Sequence, residues 1–161
     1  MPRLLFASPL CNILLTEQNG ALTSVEFCGK QELPFDDNTS LLMRAKDELL
    51  RYFNGELTRF TTPVLASGSP FMLRIWAELV HIPYGETFTY RHLAEAAGSP
   101  KGCRAAGQAC NKNPLPIFIP CHRVVGSGGS LTGYAGGLDI KSRLLTLEQT
   151  GHLPPAEEIV V

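Results

Sequence analysis

TYRHLAEAAGSPKGCRAAGQACNK, residues 89–112, decides how the second half of this chain is read. Thr89 can cap a short helix, Tyr90 to Ala97, that turns Leu93, Ala94 and Ala97 inward and closes on Gly98. Ser99-Pro100 starts a second helix, Lys101 to about Lys112, whose Gly102, Ala105, Ala106, Gly107 and Ala109 leave it almost without large side chains. Two short helices joined by a glycine-containing turn outline a helix-turn-helix. A Gly/Ala face lets backbone approach another surface closely. That surface is either a neighbouring helix or a narrow nucleic-acid groove, with Arg104 as the one long side chain able to reach inside it.

Downstream stands Ile117-Phe118-Ile119-Pro120-Cys121-His122-Arg123-Val124-Val125. The apolar flanks should bury the segment, and Pro120 removes a backbone donor and stiffens the bend. Cys121 is thereby presented at one place, with an imidazole and a guanidinium beside it. A thiolate is a strong nucleophile at neutral pH, and a nearby base or cation eases its formation. On this stretch alone Cys121 reads either as a nucleophile or as a small buried hydrophobe. A glycine-rich loop, residues 126–137, follows with Tyr134 inside it, and it lacks the pattern of a phosphate loop. Asp139 can cap a last helix, Ile140 to Gln149, and the tail from Pro154 to Val161 should be loosely held.

Upstream, Ser69-Pro70 opens a helix carrying Phe71, Leu73, Ile75, Trp76, Leu79 and Val80, which ends before the turn Ile82-Pro83-Tyr84-Gly85. Residues 3–7, 10–16 and 21–27 read as strands, with Asn19-Gly20 as a hairpin turn. Cys28 to Asp37 is polar and irregular. From Asn38 or Thr39 a helix places Leu42, Ala45, Leu49, Tyr52 and Phe53 on one face and stops at Gly55. Phe60 to Leu65 is extended around Pro63. Composition shifts at residues 66–70, so two units are expected: 1–66, a scaffold without chemistry of its own, and 67–161, carrying the cysteine.

The chain has 161 residues, 44% of them apolar, enough for a substantial core. It shows neither a signal peptide nor the roughly 18 consecutive apolar residues of a membrane span. No membrane association is expected, and a cytoplasmic protein is, nucleoid-associated if prokaryotic. Five widely spaced cysteines without a C-x-x-C pair, and four histidines without metal-ligand spacing, indicate reduced thiols and neither metal nor cofactor. The net charge of −1 conceals an asymmetry. Residues 1–66 hold six cations against eight acids, net −2, whereas residues 88–125 hold five cations against Glu95 alone, net +4. A basic block around the cysteine suits an anionic partner, and equally a solvated face.

Taken together, the motifs from Ser69 to Glu148 resemble those of the O6-alkylguanine-DNA alkyltransferases, the methylated-DNA–protein-cysteine methyltransferases. They are S-P-F-x-x-x-x-W, I-P-Y-G-E-T with T-Y after it, R-A-x-G at Arg104, N-P at Asn113, I-P-C-H-R-V, G-Y-x-G-G-L and K-x-x-L-L-x-x-E. The resemblance implies an α+β fold: a small N-terminal sheet plus helix of ribonuclease-H-like type, then a mostly helical, winged helix-turn-helix-like unit bearing the active cysteine. It implies a single irreversible transfer of the alkyl group from O6-alkylguanine, and from O4-alkylthymine, to Cys121. His122 would be the base acting through a water, and Glu148 would orient it. Tyr90 would give the leaving guanine a proton and crowd the 3′ phosphate, and Asn113 would brace the segment before Cys121. The base would be flipped out of double-stranded DNA from the minor groove with little regard to sequence, Arg104 filling the gap. Pro116, Tyr134 and Ala135 would line its pocket, with the Ala135 N–H and the Val124 and Cys121 carbonyls facing the base. Ala135 stands where many relatives carry serine, and Cys110 where a larger apolar residue is expected. A monomer is implied, with cooperative binding on DNA left open.

Overall fold

The computed structural model describes residues 1–29, 35–134 and 136–156. Part of the irregular stretch Cys28 to Asp37, Ala135, and the end of the tail expected to be loosely held lie outside the described residues. The order is β1 (Arg3–Ala7), β2 (Asn12–Gln18), β3 (Ala21–Cys28), α1 (Ser40–Phe53), α2 (Pro70–Leu79), β4 (Phe88–Thr89), α3 (Tyr90–Ala96), α4 (Cys103–Asn111), a 3-10 turn (Cys121–Arg123), β5 (Val124–Val125), a short 3-10 segment in the glycine-rich loop (Ser127–Gly129) and α5 (Leu138–Thr150). The protein is therefore mixed α+β, an antiparallel sheet followed by a helical part.

β1, β2 and β3 form an antiparallel meander in which Leu4 faces Leu15, Phe6 faces Ile13 and Leu15 faces Val25. Period-two alternation puts these side chains on one face, where they join Leu42, Ala45, Leu49, Tyr52 and Phe53 of α1 in the core. Thr39 caps α1 by accepting the Leu42 N–H at 3.2 Å, and Gly55, with φ +77°, takes the left-handed conformation that ends it. β2 starts and ends two residues later than the sequence reading placed it, because Ser8 turns the chain over Leu10 and Cys11 before pairing begins.

Glu48, on the inward side of α1 and 3% exposed, is a buried anion within this layer. It accepts the backbone N–H groups of Thr61 and Thr62, each at 2.8 Å, and both threonine hydroxyls. These bonds pin the extended segment whose Val64 bridges to Leu22. Burial alone would raise the Glu48 carboxyl, but the four hydrogen bonds outweigh it and hold the group below its ordinary value.

Ser69 and Thr89 cap α2 and α3 through the N–H groups of Met72 and His92, and Pro70 occupies the first turn of α2. α4 begins at Cys103, two residues later than its sequence suggests, after a turn in which Gly102 N–H donates to Ser99 O. α2, α3 and α4 pack on one another, and Trp76 Nε1 donates to Ala109 O at 2.9 Å. α5 begins at Leu138, before Asp139, so Asp139 lies in its first turn instead of capping it. The buried Arg143 guanidinium ties α5 to the N-terminal hairpin through the carbonyls of Pro9 and Leu10, both at 3.0 Å. Among the described residues no helix is long and apolar enough to cross a membrane.

Replacing Glu48 by Gln converts an acceptor of four bonds into a group that turns an amide N–H toward hydroxyl donors. Denaturant unfolding at pH 7 should show a loss of about 2 kcal/mol. Because the folded carboxyl titrates below its unfolded value of about 4.3, its contribution is complete above that pH and disappears as pH falls through the folded value. Wild type and variant should converge in acid.

Candidate active site

Ile117 precedes Cys121 by four residues and carries φ +76°, a strained conformation for a β-branched residue. Asn113 holds the strained segment in place. Its Nδ2 donates to Ile119 O at 2.8 Å and to Cys121 Sγ at 3.2 Å, while its Oδ1 accepts the Leu115 N–H at 3.0 Å. Residues 121–123 then form the 3-10 turn, and Val124–Val125 pairs in parallel with Phe88–Thr89. This pairing links the cysteine segment directly to the residue that caps α3.

The thiol is buried, 4% exposed, and burial pushes it up to about 11, the Asn113 hydrogen bond offsetting part of the rise. The resting group is a thiol. His122 is fully buried, which lowers its pKa, while the hydrogen bond to Glu148 opposes the shift. Nε2 lies 2.6 Å from Glu148 Oε2. Assigning the proton to Nε2 satisfies that contact and leaves Nδ1 as an acceptor, the one imidazole nitrogen with no protein partner among the described residues.

Glu148 collects five donors. Oε2 accepts from Tyr52 OH at 2.6 Å, from His122 Nε2 and from Arg123 Nη2 at 3.1 Å; Oε1 accepts from Arg123 Nε at 2.7 Å and Gly85 N at 3.2 Å. Burial would raise this carboxyl. The bonds from His122 and then Arg123 hold it well below the usual carboxylate range, and the permanently charged Arg123 does so in either state of the imidazole.

An open cleft of about 480 Å³ lies over α4, lined by Tyr90, Cys103, Arg104, Gly107, Asn111, Thr132 and Gly133. Gly107 faces the Tyr90 ring, where an added Cβ would meet ring carbons at 3.8 Å. Tyr90 OH donates to Thr132 O at 3.2 Å and accepts from Lys141 Nζ at 3.3 Å, the same ammonium donating to Thr132 O at 2.8 Å. Tyr90 and Arg104 are thus brought to the cleft, while Asn113 with Cys121 and His122 with Glu148 form two hydrogen-bonded pairs. Pro116 and Val124 are buried and Tyr134 is half-buried against Phe27, none of them on the cleft wall. Ala135 lies outside the described residues.

Three participants escaped the sequence reading. Tyr52 belongs to the part taken as scaffold, and the structure corrects that expectation by placing its hydroxyl on Glu148. The available signal was a tyrosine on a buried helix face, since a buried phenol needs a partner. Lys141 is fully buried and three and seven residues before Leu144 and Glu148, a spacing that puts all three on one face of α5. Arg123 was read as a cation near the thiol, whereas it binds the carboxylate and Ile82 O at 2.6 Å.

A thiol, an imidazole and a buried carboxylate beside a cleft built on a small-residue helix outline a cysteine-dependent transferase acting on DNA. Residues 3–66 match the ribonuclease-like domain, and residues 70–150 the DNA binding domain, of 6-O-methylguanine DNA methyltransferase. The chain is 44% identical to the methylated-DNA–protein-cysteine methyltransferase of Methanosarcina acetivorans, over 89% of this chain and 96% of that protein. It is 38% identical to the constitutive enzyme of that name from Bacillus subtilis, over 90% and 93%. The crystal structure of Mycobacterium tuberculosis OGT in complex with DNA superimposes with a TM-score of 0.85 at 36% identity, covering 93% of this chain and 94% of that one. The chain belongs to the 6-O-methylguanine DNA methyltransferase family. Its activity is direct-reversal DNA repair, in which the alkyl group is transferred to a cysteine of the protein itself.

Replacing Arg123 by Ala leaves the Glu148 carboxylate buried with its fixed counter-charge removed. Urea unfolding should show a loss of about 3 kcal/mol or more. Combining it with Glu148→Gln should cost less than the two single changes added together, because the second removes the stranded charge.

Proposed function

We propose that Cys121 is the alkyl acceptor and that His122, Glu148, Tyr90 and Arg104 carry the reaction on double-stranded DNA containing alkylated guanine. The observation that carries this reading is the fixed imidazole: Nε2 committed to Glu148 at 2.6 Å, Nδ1 uncommitted, one residue from a buried thiol. A base in that tautomer can take the thiol proton through one bridging water. As the Sγ–C bond forms, the O6–C bond breaks and its electron pair passes into the guanine ring, which takes up a proton. Tyr90 supplies that proton; burial raises its phenol, and the Lys141 ammonium donating to its oxygen would stabilise the phenolate left behind. The imidazolium returns the balance to the phenolate through solvent. Glu148 stabilises the imidazolium charge while it lasts. The thioether does not hydrolyse, so each molecule acts once, and no cofactor enters the balance.

The target carbon lies inside the duplex and the base must be swung out, at a cost of a few kcal/mol. The α3–α4 pair acts as a helix-turn-helix, setting the Gly/Ala face of α4 into the minor groove, and Arg104, exposed at the cleft, fills the vacated stack. Contacts to phosphates and groove width make binding largely independent of sequence. The flipped base would have to pass beyond the cleft wall to reach Cys121, toward Pro116, Tyr134 and the Val124 and Cys121 carbonyls, O4-alkylthymine being the second substrate. The protein works as a monomer in the cytoplasm.

Incubation with a duplex containing one O6-methylguanine should add one methyl group to the Cys121 peptide by mass spectrometry. Cys121→Ser should take up none while keeping DNA affinity. Unchanged mass with intact damage would overturn the reading. Arg104→Ala should slow transfer from duplex DNA by at least tenfold yet leave transfer from a free O6-benzylguanine base nearly unchanged, because only the first needs extrusion.

A further inference from the structure

Glu148 is met by one hydroxyl from outside the cysteine-bearing part of the chain. Tyr52 sits on the buried face of α1, fully covered, with Phe53, Phe60 and Tyr84 around its ring at centroid distances of 5.6, 5.3 and 6.2 Å. A phenylalanine would fill that aromatic nest equally well. The hydroxyl therefore answers to its polar surroundings: Glu148 Oε2 at 2.6 Å, which it donates to, and His122 Nε2 at 3.5 Å.

We propose that Tyr52 is a positioning residue for alkyl transfer, its hydroxyl sharing Glu148 Oε2 with the His122 imidazole and thereby setting how firmly the carboxylate holds an imidazolium. This rests on the reading of His122 as the base. An oxygen that already accepts a phenol at 2.6 Å offers less charge to the imidazole opposite. With Tyr52 in place the imidazole binds its second proton less tightly, stays neutral near neutral pH and remains free to accept from the thiol. Without it, the carboxylate stabilises the imidazolium more strongly, and the base is occupied at higher pH. The other groups facing the imidazole and its carboxylate come from different segments. They are Arg123 on the 3-10 turn, Lys141 on α5, Tyr84 before β4 and Tyr134 of the glycine-rich loop. Arg123 and Lys141 act on the imidazole in the same sense as Tyr52, disfavouring its charged form. Among the described residues Tyr52 is the one donor to Glu148 from residues 1–66, so α1 finishes a catalytic set otherwise built after residue 84.

The test is single-turnover transfer from an O6-methylguanine duplex to the full-length protein across pH 5 to 9, for native, Tyr52→Phe, Glu148→Gln and the double variant. Tyr52→Phe should move the acid limb upward by about half a unit to one unit, slowing transfer on that limb by roughly threefold to tenfold with little change above neutral pH. In the Glu148→Gln background the same change should add nothing. Site-specific replacement of Tyr52 by 3-fluorotyrosine, a stronger donor in the same space, should move the limb the other way, and it keeps the question answerable if Tyr52→Phe folds poorly. Superimposable pH profiles after scaling, or an equal slowing in the Glu148→Gln background, would overturn the proposal and leave Tyr52 a packing residue. Native protein that leaves Cys121 unmethylated would instead remove the parent reading, and this one with it.

Discussion

A carboxylate with almost no contact with water organises this protein. The Glu148 side chain is 1% exposed, and a charge so enclosed is tolerated only when its oxygens are fully engaged. The donors reach it from α1, from the turn before β4, and from the 3-10 turn, while Glu148 itself sits near the end of α5. None of these segments could be displaced without stranding part of the charge. The strand pairing of Phe88–Thr89 with Val124–Val125 and the Arg143 clamp on the N-terminal hairpin act in the same direction. The carboxylate is thus both a component of the proposed chemistry and the reason the elements must close around one point.

The enclosure also explains the state of Cys121, the proposed nucleophile. Many reactive cysteines rest as thiolates, held low by cations or a helix N-terminus. Here burial pushes Cys121 the other way, to about 11, and Cys110 nearby to about 12. For a protein that turns over repeatedly this would be a handicap. For an acceptor that reacts once and is then finished, it is protective: a resting thiol is far less prone to oxidation or stray alkylation than a thiolate. On the proposed mechanism, reactivity then depends on a base neutral and aligned beforehand, which the tautomer favoured by Glu148 would supply.

Much of this was legible in the residues because it is local. Helix caps at Thr39, Ser69 and Thr89, the apolar face of α1, and the small-residue face of α4 follow from spacing and side-chain type alone. The boundaries that shifted did so where a turn competes with the element: Ser8 before β2, Ser99 to Gly102 before α4, and Gly137 in place of Asp139 before α5. Partnerships across long separations were not legible. Tyr52 and Glu148 stand 96 residues apart, and nothing between them marks the pair. Ile117 shows the same limit: a β-branched residue at positive φ runs against every local preference and is explained only by the Asn113 brace and the bridge between Pro116 and Ile119.

Cys121 does not line the cleft, and Tyr90, which does, is tied to the glycine-rich loop. Tyr90 OH and Lys141 Nζ both donate to Thr132 O, a carbonyl of the glycine-rich loop. For the phenol to donate to a base, it must release that carbonyl. On the proposed mechanism the loop is a stand-in acceptor, holding the donor in its working orientation until a ring nitrogen replaces it. Lys141 keeps its bond to the phenol oxygen through such an exchange, because its donation uses a different lone pair. The buried ammonium is then the fixed point about which donor and loop rearrange, which accounts for a fully covered lysine beside a cleft that needs no buried cation of its own.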